Sequence, residues 1–187
     1  MIRVALPLLL LLTLTPVRAE LGFDTLAEVT TSPETLQGSF TQVKYLASLD
    51  TELNSTGVFE YRRGESIRWR IEKPIENELI MTPERISSRQ GDQELIRLEL
   101  DNNPAAAVLG QVLFAVLMTE WQQLEHYFAV DGSIDDGQWQ ARLLPRETLA
   151  NQVIHQVDLK GDALLREIVL QELSGDTTTI HLHDLRQ

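Results

Sequence analysis

From residue 38 onward, short runs in which apolar and polar residues alternate are cut every five to twelve residues by Gly, Pro, Asn or Asp. A period of two sends successive side chains to opposite faces of an extended chain, and connections this short allow only hairpins between antiparallel neighbours. The runs read as strands at 38–47, 52–63, 66–73, 78–82 and 86–89, then 127–130, 139–144, 153–160, 164–173 and 177–183. Breaks fall at Asn54-Ser55, Gly64, Pro74, Pro83, Gly91-Asp92, Asp131-Gly132, Asp135-Asp136-Gly137, Gly161-Asp162 and Gly175-Asp176. The 66–73 segment shows the rule most clearly: Ile67, Trp69 and Ile71 share one face, and Arg68, Arg70 and Glu72 share the other. Phe59 with Tyr61 and Leu79 with Met81 make further apolar faces, and Phe40, Gln42, Lys44 and Leu46 share one face of the first strand.

Three segments break the alternation. Leu21, Phe23, Leu26, Ala27 and Val29 fall at helical spacings before Ser32-Pro33, which predicts a short amphipathic helix. Asn103-Pro104 can cap and open a strongly apolar helix over 104–118, with Val108, Leu109, Val112, Leu113 and Leu117 in its body. The polar stretch 119–126 finishes or follows it, and a third short helix is expected between Arg146 and Asn151. No linker or internal repeat divides the chain, so the expectation is one domain of about ten antiparallel strands with two or three helices. A sheet that long becomes a sandwich, or curls into a barrel or half-barrel whose concave side helices can cover. The apolar faces then form a water-excluding groove closed by the 104–118 helix, or they pack together as an ordinary core; periodicity alone leaves both open.

The first 19 residues have a different character. Arg3 precedes an apolar run from Val4 to Leu14, followed by Thr15, Pro16 and then Val17-Arg18-Ala19. This is the three-part pattern of a secretory signal peptide, with cleavage expected after Ala19 and the mature domain spanning 20–187. The run is too short to span a bilayer as a helix. A soluble exported protein is expected, and a Gram-negative periplasm suits the sequence.

Charge and cysteine content narrow the function classes. The formal net charge is −12, from 28 acidic and 16 basic side chains, and loss of Arg3 and Arg18 with the leader would make the mature chain two charges more negative. That argues against nucleic acid, whose binding depends on cationic neutralisation of phosphates, and against lasting contact with anionic membranes. It favours docking on basic partner surfaces. With no Cys, disulfides, thiolate metal sites, a cysteine nucleophile and a lipidated N-terminal cysteine are all excluded. His181 and His183 share a strand face, but neither His155 nor His126 supplies a third ligand, so no metal site is expected. The stretch 131–137 resembles a calcium loop only loosely, because Arg142 stands where a bidentate Glu belongs; it reads as a solvated hairpin connection. No nucleophile elbow, P-loop or zincin motif occurs. Neither enzyme activity nor a cofactor is expected.

Three fragments in order carry a resemblance: Gly38-Ser39-Phe40-Thr41-Gln42-Val43, then Gly57-Val58-Phe59-Glu60-Tyr61-Arg62-Arg63, then Ile67-Arg68-Trp69-Arg70-Ile71-Glu72-Lys73-Pro74. With the signal peptide they resemble the opening of the LolA-like periplasmic lipoprotein carriers. The resemblance implies an incomplete antiparallel barrel with a helical lid over an apolar cavity. It implies a cavity built from Phe40, Phe59, Tyr61, Ile67, Trp69, Ile71, Leu79 and Met81, under a lid carrying Val108, Leu109, Val112, Leu113 and Leu117. Arg63 matches the arginine that latches the lid, and Arg62 competes for that role. The implied partners are a lipid or acylated cargo, an inner-membrane export complex and an outer-membrane acceptor, met by a monomer. Gly64 stands where the family commonly has proline, and Thr82-Pro83-Glu84-Arg85 replaces an Asp-Gly turn. The expectation is therefore a divergent branch whose cargo is a lipid or lipid-linked precursor. The alternatives are an interaction protein of the envelope with the same fold, or a small hydrolase.

Overall fold

A computed structural model describes residues 21–99, 115–117, 119–146 and 153–187. The described chain opens with helix α1 (Phe23–Val29) and continues into β1 (Thr35–Leu46), β2 (Thr51–Arg62), β3 (Ser66–Lys73), β4 (Asn77–Met81), β5 (Arg85–Gln90) and β6 (Gln93–Glu99). After the helical residues 115–117 come α2 (Trp121–Leu124), β7 (Phe128–Asp135), β8 (Gln138–Pro145), β9 (Ile154–Gly161), β10 (Leu165–Glu172) and β11 (Thr177–Arg186). All strands join one antiparallel sheet in the order β6-β5-β4-β3-β2-β1-β11-β10-β9-β8-β7. Two meanders meet where β1 pairs with β11, and β6 and β7 remain the free edges. The sheet is an open half-barrel.

Register stacks the apolar alternation of each strand into rows across the concave face. One row runs Leu36, Tyr61, Ile67, Met81, Ile86 and Leu98. The next runs Gly38, Phe59, Trp69, Leu79, Ser88 and Ile96. On the convex face, Arg68 and Arg89 both pair with Glu78, at 3.5 and 2.7 Å. Gly57, the register partner of Phe40 and Ile71, explains how Phe40 reaches the second row. A Cβ there would lie 1.9 Å from the Arg70 carbonyl oxygen and 2.8 Å from the Phe40 ring, so the absent side chain lets Phe40 stack on Trp69 with ring centroids 3.9 Å apart.

The structure corrects four details of the strand map. β2 runs through Asn54-Ser55 without a break, and its turn lies earlier, at 47–50. β6 was not expected, because a bulge opposite Ser88 and Arg89 puts Leu95 and Ile96 side by side and spoils the alternation. Asp131-Gly132 is not a turn, and 131–137 is not a loop: β7 continues to Asp135, with Gly132 packed under the Leu21 side chain. The hairpin is closed instead by Asp136 and Gly137, both with positive φ (47° and 74°), as a two-residue primed turn requires. The expected helix over 104–118 is described only at 115–117, which are helical. The expected helix after Arg146 and the leader lie outside the described residues.

Helices α1 and α2 fill the concave face near β7 to β9. Leu21, Phe23, Leu26, Trp121, Leu124, Phe128, Trp139 and Leu143 are all buried there. Trp121 meets Trp139 edge to face at 5.4 Å, and its indole N–H donates to Thr30 Oγ1 at 2.7 Å. Thr30 Oγ1 donates in turn to the Leu26 carbonyl, also at 2.7 Å, which ties the end of α1 to α2.

Candidate apolar cavity and its rim

Beside this packed region the described residues leave the concave face unfilled. A cavity of about 400 Å³ lies over β1, β3 to β6 and β9 to β11, within the range of small-molecule sites. Its walls are aliphatic and aromatic: Trp69, Ile71, Leu79, Met81 and Ile96 on one side, and Ile154, Val157, Ile168, Leu170 and Ile180 on the other. Val116 and Leu117, from the helical residues 115–117, also line it. Gln42, Asn77, Ser88 and Thr178 supply the polar groups, and Ser88 Oγ donates to Asn77 Oδ1 at 2.9 Å. No charged side chain stands among the described lining residues.

All eight residues expected to form the cavity project from the concave face, but they divide into two sets. Trp69, Ile71, Leu79 and Met81 line the space. Phe40, Phe59, Tyr61 and Ile67 lie in the packed core next to it, between 0 and 4% exposed. Of the expected lid residues, Leu117 lines the cavity, while Val108, Leu109, Val112 and Leu113 lie outside the described residues. The wall from β9 to β11 was missed. Ile168 with Leu170, and Thr178 with Ile180, show the same period of two as β3, and that signal marks an inward face without saying what lies over it.

Arg63 sits in the β2–β3 turn, one residue past the end of β2. Its backbone N–H donates to the Glu34 carbonyl at 2.8 Å, and its Nε stands 3.3 Å from Glu34 Oε1. Arg62 projects to the convex face and pairs with Glu60 at 2.8 Å. Tyr61 is 2% exposed, and its hydroxyl has no hydrogen bond of normal geometry among the described residues. Burial pushes the phenol up to about 12; the Arg63 guanidinium opposes the rise, and Glu120 and Glu34 add to it.

The histidines do not converge on the cavity. His181 and His183 stack at 6.3 Å on the convex face, where His181 Nδ1 lies 3.3 Å from Glu167 and His183 Nε2 lies 3.3 Å from Thr41 Oγ1. Among the described residues no three His, Cys, Asp or Glu side chains gather as a metal site, and no helix is long and apolar enough to cross a membrane.

The family described as "Outer membrane lipoprotein carrier protein LolA" matches residues 31–187. No curated protein matches the sequence. Among solved structures, a LolA superfamily protein from Nitrosomonas europaea is 10% identical, with 88% of this chain and 90% of that chain covered and a TM-score of 0.47. A chain of the MucA/MucB complex of Pseudomonas aeruginosa is 17% identical over 81% of this chain and 51% of that chain, with a TM-score of 0.43. The family match takes in every strand of the half-barrel, and the chain belongs to the LolA outer membrane lipoprotein carrier family.

Proposed function

We propose that the protein is a periplasmic carrier that shields the acyl portion of a lipid or lipid-linked cargo on its way to the outer membrane. The observation that carries this reading is the cavity of about 400 Å³, walled by apolar side chains and left unfilled by the described residues, beside a region that the same sheet packs tightly. An ordinary core of this size would be close-packed. A methylene group takes up about as much room as a water molecule, ~30 Å³, so the space suits one acyl chain of roughly thirteen carbons. Each buried methylene contributes about 0.8 kcal/mol, less the cost of ordering chain and protein.

The proposed carrier role includes no chemical step, in keeping with a described lining that holds no nucleophile paired with a base and no charged group. The eight expected residues act as wall and floor, the apolar segment around 104–118 as lid, and Arg63 as latch through its five donors. A signal peptide cleaved after Ala19 delivers the chain to the periplasm, where an inner-membrane export complex loads it and an outer-membrane acceptor unloads it. Titration with a fluorescent fatty acyl probe tests the reading. Saturable uptake at one site per chain supports it, and absence of uptake overturns it.

A further inference from the structure

The described cavity lining is uncharged, but its rim is not. Along β1 the inward-facing position after Phe40 and Gln42 is Lys44, and along β10 the one after Ile168 and Leu170 is Glu172. Between these strands lies β11, whose Thr178 is the register partner of both Lys44 and Leu170 and lines the cavity. Lys44 Nζ reaches Glu172 Oε1 across that strand at 3.2 Å. The side chains are 34 and 22% exposed, so the pair is accessible yet partly withdrawn from water. The pairs joining Arg68 and Arg89 to Glu78, Arg142 to Asp158, and Lys160 to Glu167 lie on the convex face. Among the described residues, Lys44 with Glu172 is the strand-to-strand ion pair that turns inward.

An inward ion pair is a poor way to seal an apolar space, because desolvating both charges offsets most of their attraction and an apolar pair would pack better. It is well suited to reading a polar head at the point where an acyl chain enters. We propose that Lys44 and Glu172 together bind the zwitterionic head of the cargo, with Lys44 taking its phosphate and Glu172 its ammonium. This rests on the acyl-carrier reading above. A purely anionic head could engage Lys44 only by leaving the Glu172 carboxylate half-buried without its cation, in a chain that already carries a net charge of −12. A zwitterion replaces both partners at once with charge-assisted hydrogen bonds.

The test uses three single-chain probes with the same tail: lysophosphatidylethanolamine, anionic lysophosphatidylglycerol, and uncharged monoacylglycerol. Each competes with a fluorescent acyl probe for the full mature chain, below its micelle threshold. The wild type should bind the zwitterion roughly tenfold more tightly than either of the others. Lys44→Met should abolish that advantage, and Glu172→Gln should move the preference to the anionic probe. Monoacylglycerol affinity should stay within about twofold in both variants, which also reports an intact cavity. Equal binding of all three probes by the wild type, or an advantage that survives in both variants, would overturn the head-group assignment alone. Failure of all three to bind would overturn the carrier reading with it.

Discussion

The concave face carries two apolar regions built from the same alternating strands, and they end in opposite states. Over β7 to β9, Trp139 lies across Gly161, where a Cβ would come within 2.5 Å of the indole, and Leu21 lies against Gly132 in the same way. Trp121 and Trp139 each anchor an indole N–H, to Thr30 Oγ1 at 2.7 Å and to the Asp162 carbonyl at 2.6 Å. Large rings set over glycine and fixed by hydrogen bonds leave no space. Over β3, β4, β10 and β11 the inward residues are mostly mid-sized aliphatics, Ile71, Leu79, Ile168, Leu170 and Ile180, with no described element packed fully into them. What separates scaffold from site is therefore what covers each patch of the face, not how hydrophobic it is.

Substitutions in the two regions should differ accordingly. Trp121→Ala removes a fully buried ring and the tie to Thr30, and should cost about 3–5 kcal/mol in denaturant unfolding. A loss below about 1 kcal/mol would mean that the α1–α2 region is not the stabilising half.

The next largest effect belongs to Tyr61, at the boundary between the regions. Its native pKa, near 12, lies above the unfolded value of 10.0. Below pH 10 both states hold the proton and stability is flat; between about 10 and 12 the unfolded chain loses it first, so stability falls, by up to ~3 kcal/mol. Tyr61→Phe should remove that alkaline loss. It also deletes a buried hydroxyl that has no hydrogen-bond partner among the described residues, so at neutral pH it should be neutral or stabilising by up to about 1 kcal/mol.

Arg63→Leu should have the smallest effect on stability, within about 1 kcal/mol, because its partner Glu34 is 83% exposed. Its effect should fall on the cavity instead, as altered retention of an acyl probe in stopped-flow release. Unchanged release would remove Arg63 from the lid assignment.

How much of this was legible in the sequence follows from the same contrast. Ile67, Trp69 and Ile71 against Arg68, Arg70 and Glu72 gave the wet and dry faces of β3 correctly, because one-sided burial leaves a clean period of two. The bulge in β6 and the strand glycine Gly132 in β7 were misread, because each depends on a neighbouring strand that local pattern does not contain. The eight expected cavity residues all reached the concave face, yet Phe40, Phe59, Tyr61 and Ile67 were drawn into the packed core while Ile154, Ile168 and Ile180 were left as wall. Alternation marks a residue as inward; only register and the covering elements decide between core and cavity.

The central claim is that the unfilled region is a lipid site, and native mass spectrometry of the protein isolated from a bacterial envelope tests it most directly. The account predicts a population carrying one lipid-sized adduct, lost when Ile180→Trp fills the cavity in a variant that still folds. A protein that is bare in both forms, or an adduct that persists unchanged with the cavity filled, would contradict it.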